Sequence, residues 1–206
     1  MVRKTDHLGR AIEAALELAA ARGWRRVALA DVAGAAGLSL VELYRVSPSK
    51  AALLGAYARR LDEQMLTGEE EGAAEEPPRD RLFEVLMRRF ESMRPHRDGL
   101  AAILADLPTD PLAALCTLPG FARSMAWALV AAGLSPRGLC GLARIKVLGA
   151  VYLATLRVWL RDEDADMAAT MAALDRNLRC AERWTWLTGW TRREYPRPEE
   201  EASEPA

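Results

Sequence analysis

The sequence predicts an all-α protein: an N-terminal three-helix helix-turn-helix head, a connecting helix, and a larger C-terminal helical body. Three observations carry this. Alanine, leucine, arginine and glutamate dominate, β-branched residues are few, and no long stretch alternates apolar with polar at the period of two that a strand requires. Between Gly23 and Arg45 the apolar spacing reads as a short helix, a tight turn at Gly37 and a second short helix starting at Ser39. Residues 67–79 hold five glutamates with Gly and paired Pro, a composition that cannot pack and that separates head from body.

The elements follow in order. Residues 6–22 form an amphipathic helix with Leu8, Ile12, Ala15, Leu16 and Ala19 on its apolar side, ended by Gly23. Leu29, Val32, Ala33 and Ala36 share a face of the next helix, and Leu40, Leu43 and Tyr44 a face of the one after. Two short helices crossing through a Gly turn let the second enter a DNA major groove, although the same pattern also joins helices that touch no nucleic acid. Ser49 is placed to cap the connecting helix Lys50–Leu66, which carries Leu53, Leu54, Tyr57 and Leu61.

Five body helices are predicted. Residues 80–93 are amphipathic through Leu82, Phe83, Leu86 and Phe90, and residues 95–107 through Leu100, Ile103 and Leu104. Residues 119–132 place Pro119 in a first turn and Gly133 as a stop. Residues 136–161 and 164–186 complete the body, and the Glu- and Pro-rich end reads as disordered. The predicted division is residues 1–66 for head and connecting helix, 67–79 for an acidic flexible linker, 80–190 for the body and 191–206 for the tail.

The 206 residues suffice for a core without disulfides or metals. No run of about eighteen uncharged apolar residues is present, and the N-terminus lacks the apolar core of a signal peptide, which points to the cytoplasm. Cys116, Cys140 and Cys180 are odd in number and lack metal-type spacing, so they read as buried thiols in a reducing compartment. Asp162, Glu163, Asp164 and Asp166 imitate the start of a calcium loop, but Met167 and Ala173 stand where its Gly and bidentate Glu belong; a helix-dipole role fits better. His7 and His96 are isolated, and no phosphate loop or zinc spacing occurs. No catalytic residue, metal or cofactor is expected, and the chain does not read as an enzyme.

Charge is unevenly placed. Ten basic and five acidic side chains in residues 1–60 give +5, leaving −6 for the rest of a chain whose net charge is −1. A basic head on an acidic body suits a protein whose head alone meets a polyanion; the bias by itself does not choose between DNA and an anionic membrane.

Gly23-Trp24, Leu29-Ala30-Asp31-Val32-Ala33, Ala36-Gly37-Leu38-Ser39, Leu43-Tyr44 and Pro48-Ser49-Lys50 resemble, in order and spacing, the head of the TetR family of one-component repressors. The resemblance covers about a third of the chain. It implies a DNA-binding head, a helical ligand-binding body and a homodimer on operator DNA. It places Ser39, Leu40, Val41, Glu42, Tyr44 and Arg45 in the major groove, with Tyr44 and Lys50 on phosphates. The chain departs from the family pattern where Val27 and Ala28 replace the usual Thr or Ser, where Leu40, Val41 and Glu42 replace a typical Lys-Gly-Thr, and where Val46 and Ser47 replace an aromatic pair.

Phe83, Met87, Phe90, Met93, Leu104, Met125, Trp127, Leu129 and Tyr152 are candidates to line a cavity for a small apolar effector of unknown identity; at this spacing they also read as plain core. Leu148, Leu156, Trp159, Met167, Met171, Leu174 and Leu178 mark a candidate dimer seam on the last two helices, unless one subunit's own core consumes it. A second resemblance starts from Thr155 through Asp162 with Thr170, Leu174, Asp175 and Arg176. It is to the TetR-fold lipid-binding accessory proteins of ubiquinone biosynthesis, and implies quinone or lipid binding at a membrane surface rather than DNA binding. Trp184, Trp186 and Trp190 beside Arg183, Arg192 and Arg193 would then anchor at the interface.

Overall fold

The computed structural model describes residues 6–67, 76–107 and 111–185, of which the side chains of 111–114, 116, 184 and 185 are excepted. The helices are α1 (His7–Arg22), α2 (Leu29–Ala35), α3 (Leu40–Val46), α4 (Lys50–Leu66), α5 (Pro78–Met93), α6 (Arg97–Asp106), α7 (Pro111–Ala131), α8 (Gly138–Trp159) and α9 (Ala168–Thr185). Three-residue 3₁₀ turns precede α2 and α6, and no strand occurs among the described residues. The all-α class and the helix-turn-helix are as the apolar spacing predicts.

Two compact units form. The first comprises Met1–Leu61 and Ser92–Phe121, the second Asp62–Glu91 and Ala122–Ala206. Sequence reasoning assigned residues 80–190 to the body, yet α6 packs along α1 in the first unit. Gly99 makes this approach possible: a Cβ there would lie 2.5 Å from the Leu16 carbonyl oxygen. Asp106 at the end of α6 accepts the Arg25 N–H at 2.9 Å, and Tyr57, His96 and Glu13 link α4, the second 3₁₀ turn and α1. Buried Ala11, Ile12, Ala15, Leu16, Val32, Leu43, Leu53 and Ile103 form the core of this unit.

In the second unit Phe90 stacks on Tyr152 at 5.2 Å and lies 6.0 Å from Trp159, around which Leu82, Leu86, Met125, Leu129 and Leu174 are fully buried. Asp62 of α4 accepts from Arg89 of α5 and Ser124 of α7, and Arg89 also donates to the Tyr152 hydroxyl at 3.4 Å. A polar group this deep stays only when its partners are met. Asp162 accepts from the Thr170 N–H and hydroxyl at 2.7 and 2.6 Å, so its carboxylate serves the start of α9 rather than a metal.

Several expectations are corrected. Helix α5 begins at Pro78, so Pro78 and Arg79 belong to it and not to the linker; residues 68–75 and 191–206 lie outside the described residues. Pro119 sits inside α7, because Pro111 takes the first-turn position where a missing N–H does no harm. Gly133, at φ 73°, ends α7 as expected, with Leu134 N–H returning to the Leu129 carbonyl at 2.9 Å. Cys140 and Cys180 are exposed rather than buried, on the outer sides of α8 and α9, and the Cys116 side chain lies outside the described ones. Helix α8 is long and apolar enough to cross a membrane by length and composition, at mean hydropathy 1.6. Its inward face packs on α9 and buries Arg144, whose guanidinium donates to the Ser135 carbonyl.

Candidate nucleic-acid interface

Helix α2 starts without a side-chain cap, since Ala28 has no oxygen to offer. Asp31, three residues on, supplies the other half of the arrangement: its carboxylate accepts the Ala28 N–H at 2.9 Å and pairs with Arg22 at 2.9 Å. The Ala28 N–H, with Arg22 behind it, holds the Asp31 carboxyl below its ordinary range. Gly37, at φ 62°, then reverses the chain, with Leu38 N–H bonded to the Ala33 carbonyl at 2.9 Å. Arg10 of α1 donates to the carbonyls of Ala36 and Gly37 and so fixes the turn.

Helix α3 opens with a complete reciprocal cap. Ser39 Oγ accepts the Glu42 N–H at 3.2 Å, and Glu42 Oε2 accepts both the Ser39 N–H and its hydroxyl at 2.8 Å. The Ser39 N–H, then its hydroxyl, holds the Glu42 carboxyl below its ordinary range. Leu43 alone of α3 is buried, and it anchors the helix. The outer face is left to Leu40, Val41 and Tyr44, which are 60, 59 and 70% exposed, and to exposed Arg45. Leu29, Leu40, Val41, Leu43, Tyr44, Ser47 and Pro48 line a shallow, largely apolar hollow of about 350 Å³ along this face.

Six of the seven head residues singled out in the sequence therefore stand together on α3 and its cap. Lys50 does not join them. Its Nζ donates to the carbonyls of Trp24 and Val27 at 2.5 and 3.0 Å and sits 4.3 Å from the centre of the Trp24 ring. In the chain by itself the ammonium ties the start of α4 to the turn before α2 rather than standing on the outer face of α3. Sequence reasoning missed Arg10 and Asp31 as the residues that fix the motif; the spacing of Ala28 and Asp31, three apart at a helix start, was the available signal.

The predicted effector-lining residues divide. Met93 and Leu104 fall in the first unit and the others in the second. Met87, Phe90, Met125, Leu129 and Tyr152 are buried there, and Phe83 is half-buried. Trp127 is 48% exposed, because Met125, Ala128 and Leu129 turn the other side of α7 inward. Of the predicted dimer seam, Leu148, Leu156, Trp159, Met167, Leu174 and Leu178 are buried within the single chain, and Met171 alone stays partly exposed. The one subunit's core consumes that seam, since α8 and α9 pack on each other. What α8 leaves outside is a row on the opposite face, Leu139, Leu142, Lys146, Ala150, Leu153 and Arg157, stepping by three and four. The side chain of Trp184, and Trp186, Trp190, Arg192 and Arg193, lie outside the described ones.

Residues 11–57 match the family model described as bacterial regulatory proteins, tetR family. No curated protein matches the chain. Among solved structures, the chain is similar to a TetR transcriptional regulator from Nitrosomonas europaea ATCC 19718, at 25% identity and TM-score 0.68, covering 86% of this chain and 98% of that one. It is also similar to a TetR transcriptional regulator from Rhodococcus sp. RHA1, at 24% identity and TM-score 0.61, covering 85% and 94%. A tetR-family transcriptional regulator from Streptomyces coelicolor shares the fold at 17% identity and TM-score 0.56, covering 89% and 82%. Nothing in these comparisons supports the resemblance to lipid-binding accessory proteins.

Proposed function

We propose that this chain is a TetR-family transcriptional regulator, a cytoplasmic, homodimeric repressor released from operator DNA by a small apolar effector; the family-model match over residues 11–57 and the likeness to solved TetR regulators support the reading. The observation that carries the reading is α3 itself: a helix capped at its start, anchored by Leu43 alone, and presenting its whole outer face to solvent on a chain whose residues 1–60 carry a net charge of +5. Leu40, Val41 and Arg45 enter the major groove, Tyr44 meets the phosphate backbone, and the exposed Arg25 and Arg26 add to the attraction for it. Glu42 plays no part in base recognition, because its carboxylate is engaged by Ser39.

A dimer supplies two such heads, spaced for half-sites about one helical turn of DNA apart. The surface that pairs the chains is the outer row of α8, with Leu139, Leu142 and Leu153 exposed on it. The effector acts on the second unit around Met87, Phe90, Met125, Leu129 and Tyr152, where apolar side chains surround the Asp62–Arg89–Ser124 group. Helix α4 is shared by the two units, with residues 50–61 in the first and 62–66 in the second, so it is the element through which occupancy of the body reaches the head. The protein works by binding, with no chemical step.

A mobility-shift titration of the full chain against a duplex spanning the DNA upstream of its own coding sequence tests the reading. Retardation that weakens steeply with salt is expected. Absence of retardation at low salt, for this duplex and for random duplexes alike, would overturn it.

A further inference from the structure

The chemistry of the exposed face of α3 says more than that it meets DNA. Base edges in the major groove are usually told apart by donors and acceptors, and a recognition helix supplies the complementary groups. The two side chains at the start of this helix, Leu40 and Val41, have none, yet each stands about three-fifths exposed. The one carboxylate at that end is turned back onto the Ser39 N–H and hydroxyl, where it caps the helix. Polar reach begins further along, at Tyr44 and Arg45. The hollow beside these residues is apolar as well, with Leu29 and Pro48 continuing it.

An apolar surface pressed into a major groove meets one apolar group there, the C5 methyl that thymine carries and cytosine lacks. Seating a methyl against Leu40 and Val41 removes apolar area from water on both sides, whereas cytosine in the same place presents only a C5 hydrogen and forgoes that burial. We propose that this chain selects its operator by thymine C5 methyl groups packed against Leu40 and Val41, with hydrogen-bonded base readout left to Arg45. The inference rests on the repressor reading and adds to it the chemical class of sequence recognised: half-sites with thymine methyls at the positions facing the start of α3. The same chemistry makes 5-methylcytosine an acceptable substitute for thymine there and deoxyuridine a poor one.

The test uses the full-length protein and a pool of random-sequence duplexes, enriched by repeated binding at low salt. The enriched duplexes should share thymine at fixed positions in each half-site. Resynthesis with deoxyuridine at one such position should weaken binding about fourfold for each methyl removed. Cytosine there should bind worse than 5-methylcytosine. Leu40→Ala and Val41→Ala should flatten the preference for thymine over deoxyuridine, and their melting temperatures should match the parent because both sites are exposed. Enriched duplexes that bind equally well with deoxyuridine, or Ala variants that keep the full thymine preference, would overturn the proposal while leaving DNA binding intact. A pool that yields no retained duplex at any salt concentration would overturn the repressor reading and this inference together.

Discussion

Replacing Lys50 by methionine removes two hydrogen bonds to the carbonyls of Trp24 and Val27 and a cation placed over an indole, in a partly buried position. The loss of head stability should be about 1–3 kcal/mol, read from urea or thermal melting. The slope of DNA affinity against salt should hardly change, whereas Arg45→Ala, which removes the base-reading guanidinium, should cost about 1–3 kcal/mol of specific binding. The opposite pair of outcomes would return Lys50 to the interface. Asp31 and Glu42 make a second residue-level prediction. Both carboxyls are held below their ordinary values in the folded head, Asp31 by the Ala28 N–H and Glu42 by the Ser39 N–H. A lowered value in the folded state means that the stabilisation is complete above the unfolded-state values and is lost as pH falls through the lowered ones. The stability gap between the parent and an Asp31→Asn, Glu42→Gln variant should therefore be widest above about pH 5 and close on acidification. Urea midpoints measured across that range check it; a gap that widens toward acid would contradict the capping role.

Helices were legible in this sequence wherever the signal was local. The tight turn at Gly37 and the helix start at Ser39 lie within a few residues of one another, and the motif was read from them, whereas the Ser39–Glu42 cap and the outward turn of Leu40 and Tyr44 were not. The carbonyl partners of Lys50 were not legible, because they stand 23 and 26 residues away, across a fold that spacing does not encode. The seam of α8 and α9 was misread for a related reason: periodicity identifies an apolar face but not whether the same chain or another one covers it. The place of α6 was hidden too, and its test belongs to this scale. Gly99→Ala would set a methyl 2.5 Å from the backbone of Leu16, which a side-chain rotation cannot relieve, so α1 and α6 must part. A destabilisation of about 1–3 kcal/mol is expected from such overpacking. Gly34 on α2 is the control, since a Cβ there meets nothing within 4 Å and the backbone is helical. Gly34→Ala should stabilise the head by about 0.5–1 kcal/mol. Thermal melting of the two variants gives both signs in one experiment.

At the scale of the whole molecule the question is how two modest surfaces make a selective regulator. One α3 offers seven helical residues and a largely apolar face, too little for tight binding to a short sequence. Two heads held together turn the second contact into an intramolecular one, and the gain depends on the link between chains rather than on any further contact with DNA. The outer row of α8 is where that link is proposed, so its disruption should separate assembly from folding. Leu142 and Leu153 are 50 and 45% exposed in the single chain, and a glutamate at either stays in water in the monomer. In the dimer it would be buried without a partner, at a penalty of several kcal/mol. Leu142→Glu and Leu153→Glu should therefore melt like the parent in dilute solution once concentration dependence is taken into account, yet sediment as monomers. Leu156→Glu, which puts the same charge where the chain's own core is closed, should unfold or aggregate instead. The monomeric variants should still be drawn to DNA by the basic head, with a shallow salt dependence, but should lose the steep binding to a two-half-site duplex. Analytical ultracentrifugation paired with mobility shifts on one-half-site and two-half-site duplexes distinguishes the cases. Variants that remain dimers and keep their preference for the paired site would move the assembly surface away from α8.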